Sequence, residues 1–251
     1  MRQVRRAVPA LAILALCGLP AVADEFDSKG VKIHFVVAGK GEPVVLIHGL
    51  ESSASMNWEL PGTVRLLSSQ YQVIAFDCRG HGQSGKPAGE DQYGVEMVED
   101  VTRLMDHLKV EKAHIVGYSM GGMIAMKFIV LHPDRVKSGV LGGMGWLKSG
   151  SVLEKFWEKV PGRDEGRTPS ACLHGLSQLG VSEDEVKAVQ APVSLVAGDH
   201  DPCRKLYIEP LQRVRSDWPL TTIEGAGHLT CVAKEGFKEA VKAGLDAHSG
   251  K

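Results

Sequence analysis

Ser119 lies in Gly117-Tyr118-Ser119-Met120-Gly121, with Gly122 next and apolar runs on both sides. A serine on a sharp strand-to-helix turn is forced into strained backbone geometry, and only small neighbours fit where strand and helix nearly touch. The helix start adds free N–H groups and a positive dipole end beside the hydroxyl. That hydroxyl becomes a nucleophile only when a base takes its proton, and the base needs an acid to orient it. His228, in Gly225-Ala226-Gly227-His228, follows the final short apolar run and is the candidate base. Three acids lie in range. Asp201, fixed by Pro202 and farther from the preceding strand end, is the better placed; Asp199 suits a turn cap, and Glu224 abuts the histidine loop itself.

A tetrahedral intermediate also needs two N–H donors. Met120, directly after the serine, offers one, and Leu50 in "LIHGLESS" offers the other, with Gly49 letting the backbone approach a substrate. His48 reads as a brace for that loop. In "FDCRGHGQS", Asp77 and Arg79 read as partners for buried backbone groups rather than as a second charged site. The ten histidines and five cysteines show neither Cys-x-x-Cys nor His-x-x-x-His spacing, so no metal site is expected.

These residues must be positioned by the elements between them. "VKIHFVV" is β-branched and reads as a strand, and "PVVLIHG", "QVIAFD", "KAHIVG", "SGVLGG", "PVSLVAG" and "LTTIEG" read as strands, several of them buried on both faces. Helical periods separate them: Val98, Val101, Leu104, Met105 and Leu108; Met123, Met126 and Val130, stopped by His132-Pro133; and Phe237, Ala240, Val241 and Leu245. Such alternation predicts an α/β fold, doubly wound, with a mostly parallel sheet and ligands outside the carboxyl ends of the strands. From about Gly145 to Gln190 the alternation breaks into a partly helical insertion carrying Trp146, Phe156 and Trp157, long enough to serve as a lid.

At 251 residues, 43% hydrophobic and 24% charged, the chain suits a folded domain with a sizeable core. A formal net charge of −1 offers no footprint for nucleic acid. Arg2, Arg5 and Arg6 precede an apolar run ending in Ala21-Val22-Ala23, the parts of a secretory signal peptide over residues 1–23. This predicts export, to the periplasm or outside, of a domain over 24–251 without stable membrane insertion; an uncleaved N-terminal anchor is the alternative.

The motifs "HG" after a strand, "DCRGHGQS", "GYSMGG", "GDHDP" and "GAGH", in this order, resemble the α/β-hydrolase fold superfamily over nearly all of the chain from Lys29 onward. The likeness is to the cofactor-free serine branch of esterases, lipases and related small hydrolases, which implies that no cofactor is needed. It implies about eight strands, a short helical lid inserted after the sixth, and the triad Ser119, Asp201 and His228. The sixth strand ends Leu141-Gly142-Gly143-Met144 without a carboxylate, which favours Asp201 over an acid placed there. Haloalkane dehalogenases and related epoxide hydrolases of the superfamily have aspartate where this chain has Ser119. The insertion is short for the family, implying a rather open pocket walled by Trp146, Leu147, Phe156 or Trp157 and suited to short or medium acyl chains. The family topology also places Cys203 and Cys231 on neighbouring loops, where a disulfide is expected; Cys78 with Cys172 is the weaker pairing.

The expected activity is carboxyl-ester hydrolysis of a small molecule through an acyl-enzyme. A lactonase, a carbon–carbon bond hydrolase or a perhydrolase would use the same triad, and a non-catalytic ligand-binding protein is the rival from another class. Natural substrate and oligomeric state are not readable from the sequence.

Overall fold

The computed structural model describes residues 22–160 and 168–250. Eight strands form one sheet: β1 (Val22–Ser28), β2 (Val31–Ala38), β3 (Glu42–Ile47), β4 (Tyr71–Phe76), β5 (Ala113–Tyr118), β6 (Val136–Gly142), β7 (Val193–Gly198) and β8 (Leu220–Ile223). Their order across the sheet is β1-β2-β4-β3-β5-β6-β7-β8. The hairpin β1–β2 and the β2–β4 pair are antiparallel, and every later pairing is parallel.

The apolar runs become strands because both faces are covered. Alternate side chains of β3 enter opposite cores: Val45 and Ile47 join one, Val44 and Leu46 the other, and all four are fully buried. On the first face lie α2 (Val95–His107) and α3 (Met120–Leu131); on the second, α1 (Thr63–Leu67) and α8 (Glu235–Asp246). Burying each such aliphatic side chain contributes roughly 1.5–3 kcal/mol, so the paired apolar runs account for much of the sheet's stability.

Strand β1 is absent from the sequence reading. Its residues Val22–Glu25 are exposed and only Phe26 and Ser28 turn inward, so no apolar run marks it. Edge pairing with β2 holds it, and Phe26 packs on Phe35 and the His107 ring. Residues 1–21, most of the expected signal segment, lie outside the described residues, and the expected cleavage after Ala23 falls within β1. Among the described residues no helix is long and apolar enough to cross a membrane.

Between β6 and β7 the chain forms α4 (Val152–Lys159), α5 (Ser170–Gly175) and α6 (Glu183–Ala188). α4 starts where the Ser151 hydroxyl accepts from the Glu154 N–H, and α6 starts on a full capping box of Ser182 and Glu185. The last helix before β8 is α7 (Glu209–Val214).

A buried ion pair braces the loop after β4. Arg79 donates from Nε and Nη2 to the two oxygens of Asp100 on α2, at 2.7 and 2.6 Å, and from Nη1 to the Gln92 carbonyl. Asp77 accepts from the Ala54 and Gln83 N–H groups, tying this loop to the one after β3.

Candidate active site

Five strand ends meet at one edge of the sheet, and each delivers one part of the site. Ser119 follows β5 with φ 57° and ψ −120° and caps α3. The turn is feasible only with glycines. A Cβ on Gly117 would lie 2.0 Å from the Gly121 carbonyl oxygen, and one on Gly121 would lie 2.1 Å from that of Ile47. Strand β5, helix α3 and strand β3 thus touch through bare backbone, and the hydroxyl is thrust to the surface of the sheet end.

The Ser119 hydroxyl lies 2.8 Å from His228 Nε2, and His228 Nδ1 lies 2.8 Å from Asp201 Oδ2. Asp201 is buried, and its Oδ1 accepts the Cys203 N–H at 2.8 Å. The carboxylate is therefore locked at both oxygens. Burial pulls the His228 pKa down, but hydrogen bonds to the Asp201 carboxylate and to Cys203 outweigh it and raise it to about 9. Asp199 has a different task. It accepts from the Gly225 and Ala226 N–H groups, at 3.1 Å each, and so fastens the loop that carries His228. Those bonds, led by the one from Gly225, hold its pKa below the usual carboxylate value.

Tyr118 packs beneath the elbow and lines the cavity as well. Its hydroxyl donates to the His228 carbonyl at 2.5 Å, and its ring packs against the imidazole and the Phe237 ring. His48 is fully buried, with Nδ1 2.7 Å from the Gly49 carbonyl and Nε2 accepting the Cys78 N–H at 2.9 Å. Burial pushes its pKa down to about 4, so it is a neutral brace at neutral pH. The Gly49 N–H donates to Asn57 Oδ1 at 2.7 Å, and Glu51 takes the left-handed conformation at φ 57°. These restraints leave Leu50 on the wall of the cavity that Met120 also lines. Among the described residues neither the Leu50 nor the Met120 N–H is bonded to a protein acceptor; for Met120 this follows from its place at the start of α3.

Above the serine opens a cavity of about 660 Å³. Met56, Met120, Met123, Met144, Leu176, Leu229 and Val232 line it with Trp157 and Asn57. Of the four side chains expected to wall it, only Trp157 does so; its indole N–H donates to the Tyr207 hydroxyl at 3.0 Å. Trp146 and Leu147 are buried in the core instead, Trp146 donating to the Val181 carbonyl, because the chain re-enters the protein just after β6. Phe156 is half exposed and stacks edge-on against the outer side of Trp157. Residues 161–167 of the insertion lie outside the described residues.

The expected Cys203–Cys231 disulfide is not formed, and Cys78 and Cys172 are free as well. The two sulfurs serve different neighbours: Cys231 is buried against the Tyr118 hydroxyl, whereas Cys203 faces His228 and the cavity.

Asn57, Met144 and Leu229 escaped the sequence reading. Met144 was legible in principle, since it follows a strand end, and Leu229 directly follows His228. Nothing in the spacing of "ESSASMNW" marks Asn57.

Residues 42–181 match the family model of the alpha/beta hydrolase fold. The chain belongs to that family. Within the alpha/beta hydrolases it is 30% identical over 197 residues to 2-hydroxy-6-oxo-6-(2'-aminophenyl)hexa-2,4-dienoic acid hydrolase of Metapseudomonas resinovorans, covering 75% of this chain and 64% of that one. It is 35% identical over 114 residues to epoxide hydrolase 3 of Siraitia grosvenorii, covering 45% of this chain and 35% of that one. The chain spans about half to two thirds of the length of several curated relatives it matches. The structure of E-2-(acetamidomethylene)succinate hydrolase superposes with a TM-score of 0.73 at 20% identity, over 90% of this chain and all of that one, a likeness of fold. Relatives that this alpha/beta hydrolase-fold chain matches are named as hydrolases of varied small molecules, a hexadienoic acid and epoxides among them.

Proposed function

We propose that the protein is a serine hydrolase that cleaves neutral carboxyl esters through an acyl-enzyme. The observation supporting this most is the unbroken line from Asp201 through His228 to Ser119, 2.8 Å at each step, beneath an apolar cavity. In this reading His228 Nε2 takes the Ser119 proton as Oγ attacks the acyl carbon. The Leu50 and Met120 N–H groups receive the oxyanion, each worth about 10²–10³ in rate. Asp201 holds the Nδ1–H and stabilises the imidazolium, which then protonates the leaving alcohol. Water repeats the sequence to release the acid.

The cavity wall supports a neutral substrate. Among the described residues lining it there is no lysine or arginine, His228 is the one group that takes a positive charge, and Glu51 is the one carboxylate. A substrate carboxylate there would lose hydration, at a cost of several kcal/mol, and find a counter-charge only in His228, which must be neutral to act as the base. A second reading comes from the relatives, one of which is named for a hexadienoic acid. The same triad could hydrolyse such a carbon–carbon bond.

Fluorophosphonate labelling of the wild type, lost in Ser119→Ala, supports a serine enzyme; a folded wild type that does not label refutes it. Aryl esters turned over faster than a hexadienoic acid support the ester reading, and the reverse order overturns it. The basic, apolar N-terminus supports export after cleavage near Ala23, which N-terminal sequencing of the secreted protein would check.

A further inference from the structure

Cys203 takes part in none of these steps, yet its sulfur faces the imidazole that does. Asp201, Cys203 and His228 each turn one donor atom into a triangle whose members all lie within 4.8 Å of one another. The chain order hides it, because Cys203 and His228 come from the loops after β7 and β8. We propose that this triangle is an inhibitory site for a thiophilic divalent cation, Zn²⁺ or Cd²⁺, reached through the substrate cavity.

The donor set is one carboxylate oxygen, one imidazole nitrogen and one sulfur. Hard cations such as Mg²⁺ and Ca²⁺ prefer all-oxygen shells, whereas Zn²⁺ takes this mixture. Tetrahedral bonds of about 2.0–2.3 Å put donor atoms about 3.3–3.8 Å apart. The triangle reaches this if the Cys203 side chain rotates inward and the Asp201–His228 pair, bonded at 2.8 Å, opens slightly. Cys203 and His228 both line the cavity, which gives the ion a way in and leaves its fourth position toward substrate or water. The Cys203 N–H on Asp201 Oδ1 already holds carboxylate and cysteine in one turn, so two of the three ligands are preassembled.

Occupation inhibits through the tautomer. A cation on His228 Nδ1 displaces the proton that faces Asp201 and leaves the ring protonated on Nε2. Starting from the imidazolium, that displaced proton and the Cys203 thiol proton both leave to solvent, so one cation enters, two protons depart and no electron is exchanged. With Nε2 protonated, His228 cannot accept the proton of Ser119. Binding follows from the triangle alone; inhibition rests on the proposed role of His228 as base.

Two readouts separate these. Cd²⁺ titration is followed by the ultraviolet thiolate-to-cadmium absorption band, and Zn²⁺ titration by hydrolysis of p-nitrophenyl butyrate. In the wild type the band grows to one equivalent, micromolar Zn²⁺ abolishes turnover, and EDTA restores it. Cys203→Ala and Cys203→Ser, each judged against its own metal-free rate and checked for folding by circular dichroism, lose the band. They also need about 100-fold more Zn²⁺, beyond the 10–100-fold that losing a supporting partner of a ligand costs. No band in the wild type, a band persisting in a folded variant, or unchanged Zn²⁺ sensitivity in that variant overturns the site. A band without loss of turnover overturns the inhibition. If no ester is turned over at all, the hydrolase proposal fails and the cadmium band alone decides the site.

Discussion

Asp199 and Asp201 stand two residues apart, and exchanging each for asparagine should separate their roles sharply. In Asp201→Asn the shape is kept, but the amide cannot offer two acceptors. The Cys203 N–H, 2.8 Å from Oδ1, demands the amide oxygen, so the NH₂ group turns toward His228 Nδ1. The imidazole must then present a lone pair at Nδ1 and carry its proton on Nε2, where Ser119 needs a base. A wrong tautomer in such a triad costs about 10⁴ in kcat, or about 5 kcal/mol at 1.36 kcal/mol per tenfold. Asp199→Asn weakens only the clamp on the Gly225 and Ala226 N–H groups, so its rate loss should be a small fraction of that, with a modest fall in melting temperature. The assay is kcat/KM on p-nitrophenyl butyrate with thermal melts alongside. An Asp201→Asn enzyme within tenfold of wild type, or an Asp199→Asn enzyme that loses thousands-fold while folded, would refute the assignment.

The remaining expectations concern pH, stability and substrate size. His228 must be neutral to act, and its pKa is raised to about 9, so kcat/KM should climb through the alkaline range, and a limb centred near pH 6 would contradict the site's electrostatics. The sign for stability is opposite: the imidazolium's contribution is full below its unfolded value of 6.5 and is lost as pH rises through about 9, which denaturant melts across that window will show. Asp100→Ala leaves the Arg79 guanidinium buried without its carboxylate, and urea unfolding should register a loss of about 3–5 kcal/mol, with Arg79→Met/Asp100→Leu recovering much of it. Across aryl esters of increasing acyl length, rates should favour short or medium chains in the 660 Å³ cavity; a strong preference for long chains would show that the wall opens further.

Residue type and spacing went a long way here. The parallel strands were legible because both of their faces are buried, so each leaves an uninterrupted apolar run that survives in the sequence. The elbow was legible because two backbones in contact exclude every side chain but hydrogen, and Gly117, Gly121 and Gly122 record that exclusion. Strand ends in such a sheet share one edge, so Ser119, Asp201 and His228 could be nominated from their places after β5, β7 and β8. Strand β1 was not legible, since an edge strand is held by backbone pairing and needs few apolar side chains.

Side-chain direction in the insertion and the loops was beyond the sequence altogether. Trp146, Leu147, Phe156 and Trp157 are equally apolar, and only the path of the chain after β6 sends two into the core, one outward and one into the cavity. Cys203 and Cys231 illustrate the same limit: proximity of two loops is set by topology, but whether two sulfurs meet is set by rotation about single bonds and by the neighbours that claim each one. Tyr118 claims Cys231, and Cys203 is left facing His228. The sequence by itself determined which residues could do chemistry and at which strand ends they stand, because periodicity and steric exclusion are local. The tertiary structure decided what surrounds them, because loop side chains are oriented by contacts from distant segments that no spacing encodes.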